Sequence, residues 1–86
     1  MNSLAHEVPA PQATVVRCTD DALLVSLADG RTLSVPLSWF PRLAAATPSQ
    51  RAEFQLIGGG QGIHWPSLDE DISVAGLLRG KSAPAL

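Results

Sequence analysis

Ala22-Leu23-Leu24-Val25-Ser26-Leu27-Ala28-Asp29-Gly30-Arg31-Thr32-Leu33-Ser34-Val35 is the stretch that decides the fold. Leu23, Val25 and Leu27 recur every second residue, with Ser26 on the opposite face. A period of two belongs to a half-buried strand. Asp29-Gly30 follows as a hairpin signal, because these residues tolerate the positive φ of a type I′ turn. Leu33 and Val35 then face one side of the returning strand. Two strands that pair across a tight turn commit the chain to an antiparallel sheet.

Working outward, Ala13-Thr14-Val15-Val16-Arg17-Cys18 is β-branched and reads as a preceding strand, joined through the turn residues Thr19-Asp20-Asp21. Residues 1–12 carry Pro9 and Pro11 without apolar periodicity and read as a flexible arm. Downstream, Ser38 is placed to cap a helix over about residues 39–46, with Pro41 in its first turn. Thr47-Pro48-Ser49-Gln50 matches a capping box with proline at the first helical position, which predicts a second helix over about 48–52. Residues 53–57 read as a fourth strand, Gly58-Gly59-Gly60-Gln61-Gly62 as a turn, and Ile63-His64-Trp65 as a fifth strand ended by Pro66. Asp69 or Asp71 would cap a last helix over about 72–79, and Ser67-Leu68-Asp69-Glu70 is a further capping-box match that would start it a turn earlier. Gly80 would end it, and residues 81–86 read as a flexible tail. The expected fold is α+β, in the order βββααββα. One antiparallel sheet of four to five strands carries two to three short helices on one face, and residues 13–80 form the single domain.

Composition narrows the function. Apolar residues make up 45% of the 86-residue chain and charged ones 16%, which suits one small folded domain. Trp39, Phe40, Phe54 and Trp65 must supply much of its core, and so small a core leaves a homodimer open. The net charge is −2, and the basic residues Arg17, Arg31, Arg42, Arg51, Arg79 and Lys81 are scattered, so nucleic-acid binding by this chain alone is not expected. Cys18 is the sole cysteine, which excludes an internal disulfide and a cysteine metal cluster. The N-terminus lacks signal-peptide character and no apolar run is long enough to span a bilayer, so a cytoplasmic, membrane-free protein is expected.

Candidate chemistry is sparse. The glycine run 58–62 precedes a strand rather than a helix and lacks Gly-Lys-Ser/Thr, so it reads as a hairpin turn and not a phosphate loop. His64 alternates with Ile63 and Trp65 and reads as a partly exposed strand histidine; beside Asp69, Glu70 and Asp71 it fits no metal-ligand spacing. Those three acids read as helix caps with charge partners at Arg42 or Arg51, and secondarily as an acidic dock for a basic partner. No catalytic residue, metal or cofactor is expected. Trp39 and Phe40 diverge by about 100° on a helix, so one of them can face a partner. Trp39 and Arg42, three apart, would then share a face, and both residue types are frequent at interface hot spots. The expected partner surface is Trp39, Arg42, Asp69, Glu70 and Asp71.

The chain also resembles the bacterial DUF2442 family over about residues 14–80. The likeness rests on Asp29-Gly30, Val35 to Leu43, Ala46-Thr47-Pro48 with Arg51, and Gly62-Ile63-His64-Trp65-Pro66-Ser67-Leu68-Asp69-Glu70-Asp71-Ile72-Ser73-Val74. The resemblance implies a small α+β domain without established catalytic activity. Some members carry a helix-turn-helix segment after this domain; the sequence ends at Leu86 without one. Members also sit in two-gene units resembling toxin–antitoxin pairs, which implies a protein partner encoded nearby. The leading expectation is a non-enzymatic interaction or regulatory module, antitoxin-like in arrangement. The alternative is a small-molecule sensor with a pocket between helix 39–46 and the sheet, and the last a minor enzyme using His64 with the acids at 69–71.

Overall fold

The computed structural model describes residues 10–80. Strands β1 (Ala13–Cys18), β2 (Ala22–Leu27) and β3 (Thr32–Pro36) form one antiparallel sheet in that order. Two short helices follow, α1 (Pro41–Ala44) and α2 (Pro48–Ala52). Strands β4 (Gln55–Ile57), β5 (Gly62–Trp65) and β6 (Glu70–Ser73) form a second antiparallel sheet, also in chain order, and α3 (Val74–Leu78) closes the fold.

The β2–β3 hairpin forms as its alternation requires. Leu23 pairs with Val35 and Val25 with Leu33. Leu23, Val25, Leu27 and Val35 are all buried. The turn differs from the type I′ expectation. Gly30 N–H donates to the Leu27 carbonyl at 3.0 Å, Leu27 N–H donates to the Arg31 carbonyl at 2.8 Å, and Gly30 alone takes positive φ, at 96°. This is a three-residue loop with glycine at the left-handed position. Asp29 locks it by accepting from Arg31 N–H (3.0 Å) and Arg31 Nε (2.8 Å). On β1 a bulge between Ala13 and Val15 shifts the register. It lets Ala13 and Val16, three apart, both face the core.

The first helical expectation is corrected. A continuous helix over 39–46 does not form. A single 3₁₀ turn spans Leu37–Trp39, Phe40 leaves the helical region at φ −128°, ψ 87°, and α1 begins at Pro41. Pro41 is the cause, since the residue before a proline is pushed to extended backbone. Ser38 therefore caps nothing, and Trp39 and Arg42 are not one helix face. The Thr47 capping box does form: its side chain accepts from Gln50 N–H, and the Gln50 side chain accepts from Thr47 N–H.

The larger correction is β6. The sheet is not one of four to five strands; there are two of three, because residues 70–73 form a strand. Ile63 pairs with Ile72, His64 with Asp71 and Trp65 with Glu70. A 3₁₀ turn at Pro66–Leu68 and Asp69 in left-handed conformation (φ 50°, ψ 44°) close this hairpin. Asp69, Glu70 and Asp71 are thus not caps of the last helix. Ser73 caps α3, its Oγ accepting from Gly76 N–H at 3.1 Å, and Gly80 N–H closes the far end on the Leu77 carbonyl.

Both sheets, α1 and α3 contribute to one apolar core. Trp65, Leu23, Leu43, Ile63, Val25 and Val74 are its largest fully buried side chains. The β4–β5 turn crosses the start of β1 at Gly60, whose φ is +95°. A Cβ there would lie 2.5 Å from the Ala13 carbonyl oxygen, so only glycine fits. The expected arm and tail fall mainly in residues 1–9 and 81–86, outside the described residues. Of the arm, Gln12 is held to the residue that follows β2: its carbonyl accepts from Ala28 N–H at 2.9 Å.

Candidate functional site

Direct cross-strand partners share a sheet face. In the β4–β6 sheet, Leu56, Ile63 and Ile72 form the row on the core side. Gln55, His64 and Asp71 form a polar row on the opposite, outer face, and Ile57, Gly62 and Ser73 a second outer row. His64 Nδ1 and Asp71 Oδ1 lie 2.5 Å apart, with the Asp71 side chain 69% exposed. β4 is one of the two edge strands of this sheet, and all three of its residues are exposed. Leu56 (40% exposed) and Ile57 (42%) rank with Val15 as the exposed large hydrophobic residues.

The five residues expected to form a partner surface are only partly gathered. Arg42 and Asp69 meet: Arg42 Nη1 donates to the Asp69 backbone carbonyl at 2.6 Å. The expected carboxylate pairings with Arg42 or Arg51 are absent among the described residues. Asp71 turns to His64 instead. Glu70 follows the core-facing side at the sheet edge, beside Trp65, and its Oε1 accepts from Asp71 N–H at 3.1 Å. Trp39 is half-buried and packs against the core, leaving part of its surface open. Of the acids that one reading of the sequence grouped with His64, the structure brings Asp71 to it; the β4 edge was not foreseen.

The expected pocket beside helix 39–46 is also displaced. A cleft of about 300 Å³ lies between β1 with its following turn and α2, lined on its apolar side by Val16, Ala52 and Phe54. Arg51 stands at this cleft, its Nε donating to the Leu43 carbonyl (2.8 Å) and its Nη2 to the Ala44 carbonyl (3.0 Å). These bonds satisfy the last carbonyls of α1. Burial pushes the Cys18 thiol above its ordinary range, and the Arg51 charge pulls it back only in part. Trp65 runs behind, its Nε1 donating to the Arg51 carbonyl at 3.0 Å and its ring tilted 51° against Phe54 at 6.1 Å. Among the described residues no group of three or more His, Cys, Asp or Glu could hold a metal ion, and no helix is long and apolar enough to cross a membrane.

The family profile "Protein of unknown function (DUF2442)" matches residues 13–83, from β1 through α3, and the chain belongs to that family. It is similar to a crystal structure of a protein of unknown function from Rhodospirillum rubrum ATCC 11170. That likeness is 30% identical with a TM-score of 0.75, and covers 86% of this chain and 92% of the other. It is likewise similar to the solution NMR structure of an uncharacterized protein from Chromobacterium violaceum. Here the identity is 29% and the TM-score 0.70, covering 86% of this chain and 70% of the other. No curated protein matches the chain.

Proposed function

We propose that this domain is a non-enzymatic protein-interaction module, and that it docks a basic, extended segment of a partner protein on the β4–β6 sheet. One observation carries the reading: Leu56 and Ile57 stand exposed on an edge strand of an acidic sheet. Domains usually blunt such an edge with a very short strand, lysine, proline or a bulge. β4 is short, at three residues, but carries no lysine or proline, and its two apolar side chains stay open. An added strand could pair with its free backbone groups and cover the two side chains.

Charge sets the partner's chemistry. From Ala52 to Leu78 the chain carries Glu53, Asp69, Glu70 and Asp71 and no lysine or arginine. Arg42, bonded to the Asp69 carbonyl, marks the border of this surface together with the open part of Trp39. Complementary charge would steer and register a basic partner. A partner encoded beside this chain, in an antitoxin-like arrangement, and a second copy of the chain are the two sources that the test separates.

The test compares capture from host lysate by the wild type, an Ile57→Thr variant with Leu56→Ser, and an Asp69→Asn variant with Asp71→Asn. The reading expects one basic protein retained by the wild type, lost with the edge variant and weakened with the charge variant. It also expects release in about 1 M salt, where charges are screened beyond about 3 Å. Identical capture by all three contradicts the reading, and capture of the chain's own second copy moves it to a homodimer. A Trp39→Ala variant with Arg42→Ala reports whether the border contributes.

A further inference from the structure

We propose that the cleft between β1 and α2 is a binding site for a small monocarboxylate with a short apolar tail, its carboxylate held by Arg51. This goes beyond partner docking and uses different residues. The cleft measures about 300 Å³. That is the lower end for ligand pockets, which restricts it to a compact molecule.

The tail has an apolar wall in Val16, Ala52 and Phe54. The head has an uncompensated charge. Arg51 is half-buried, and its hydrogen bonds go to two neutral carbonyls. No carboxylate pairs with it among the described residues. A guanidinium carries five N–H donors, so donors remain after those two bonds. Arginine matches a carboxylate with two parallel hydrogen bonds. Arg17 also lines the cleft and adds positive charge, against Asp20 on the same side. Thr19, at the turn, is taken up internally: its Oγ1 accepts from Asp21 and Ala22 N–H. Cys18 lines the cleft too, and burial keeps its thiol protonated, so it supplies no competing anion at neutral pH.

Cys18 makes the site directly testable, because it is the only cysteine. Hexanoate is titrated against the full chain, with hexanamide as its neutral match. Amide NMR shifts and the rate of Cys18 alkylation by iodoacetamide are both read. Hexanoate is expected to shift the Val16, Cys18, Arg51 and Ala52 amides and slow alkylation. It should bind about tenfold or more tightly than hexanamide, as one charge-assisted pair dictates. Arg51→Gln should abolish that preference. Since Arg51 also holds the end of α1, Ala52→Phe provides a second variant: Ala52 is exposed, and a ring there fills the mouth and should abolish binding of both compounds. Equal affinities for the two compounds, no shift with hexanoate, or unchanged hexanoate binding in the Ala52→Phe variant would each overturn the proposal.

Discussion

Replacing Trp65 by alanine tests how the two halves of the fold are held together. Trp65 is fully buried on β5, stacks at a tilt on Phe54 and donates from Nε1 to the Arg51 carbonyl at the end of α2. It therefore ties the second sheet to the helices. Deleting a buried tryptophan to alanine costs about 3–5 kcal/mol. The loss of the Nε1 bond, with the Arg51 carbonyl left inside, adds about 1 kcal/mol. At 0.05–0.15 kcal/mol per residue, an 86-residue chain has only about 4–13 kcal/mol of stability. Trp65→Ala should thus remove about a third or more of the stability of the protein. Trp65→Phe keeps a ring in the cavity but not the hydrogen bond, and should cost about 1–3 kcal/mol. With a urea slope of about 1 kcal/mol/M for a small domain, its midpoint should fall by about 1–3 M. The assay is urea unfolding followed by far-ultraviolet circular dichroism. An unchanged midpoint for both variants would refute the placement of Trp65 in the core.

Three further outcomes are expected. Gly60→Ala should destabilise by about 1–3 kcal/mol, since it forces φ +95° on alanine and drives a Cβ at the Ala13 carbonyl; thermal unfolding checks this. Asp69→Asn should leave stability within about 0.5 kcal/mol, because asparagine also tolerates the left-handed conformation, whereas Asp69→Val should cost about 1–2 kcal/mol in the same assay. Asp29 hydrogen bonds to Arg31 hold its carboxyl below the ordinary range. Its folded pKa lies under its unfolded one, so its contribution is present above about pH 4 and is lost as pH falls through the folded value. Urea midpoints of wild type and Asp29→Asn should therefore converge toward acid pH and separate toward neutrality.

The β2–β3 hairpin was readable because Leu23, Val25, Leu27 and Val35 are spaced by the pleat itself. Helix α2 was readable to its ends because Thr47, Pro48 and Gln50 are local capping chemistry. The break at Phe40 also had a local signal, the proline that follows it, outweighed by the apparent cap at Ser38. β6 had no such signal. Asp and Glu are poor strand formers, and the strand exists because Ile72 meets Ile63 across a turn. Three adjacent acids looked like caps for the same reason. The bulge in β1 is equally non-local, since it answers to β2.

At the candidate site, residue type was legible and placement was not. Acids at 69–71 and the arginine at 42 were singled out, and Arg42 does reach Asp69, 27 residues away. His64 and Asp71 are neighbours only through the β5–β6 register. Leu56 and Ile57 read only as part of a strand, and that strand lies at an edge of its sheet. Exposure at an edge is a property of topology, invisible along the chain.

The account's central claim is that a basic partner docks on the β4–β6 sheet. Photo-crosslinking in the native host tests it most directly, with a benzophenone amino acid placed at Ile57, and at Thr32 on the other sheet as control. Both positions are exposed. The account predicts one specific, basic crosslinked protein from position 57, absent from position 32 and lost when Asp69 and Asp71 are changed to asparagine. No crosslink from position 57, or the same products from both positions, would contradict it.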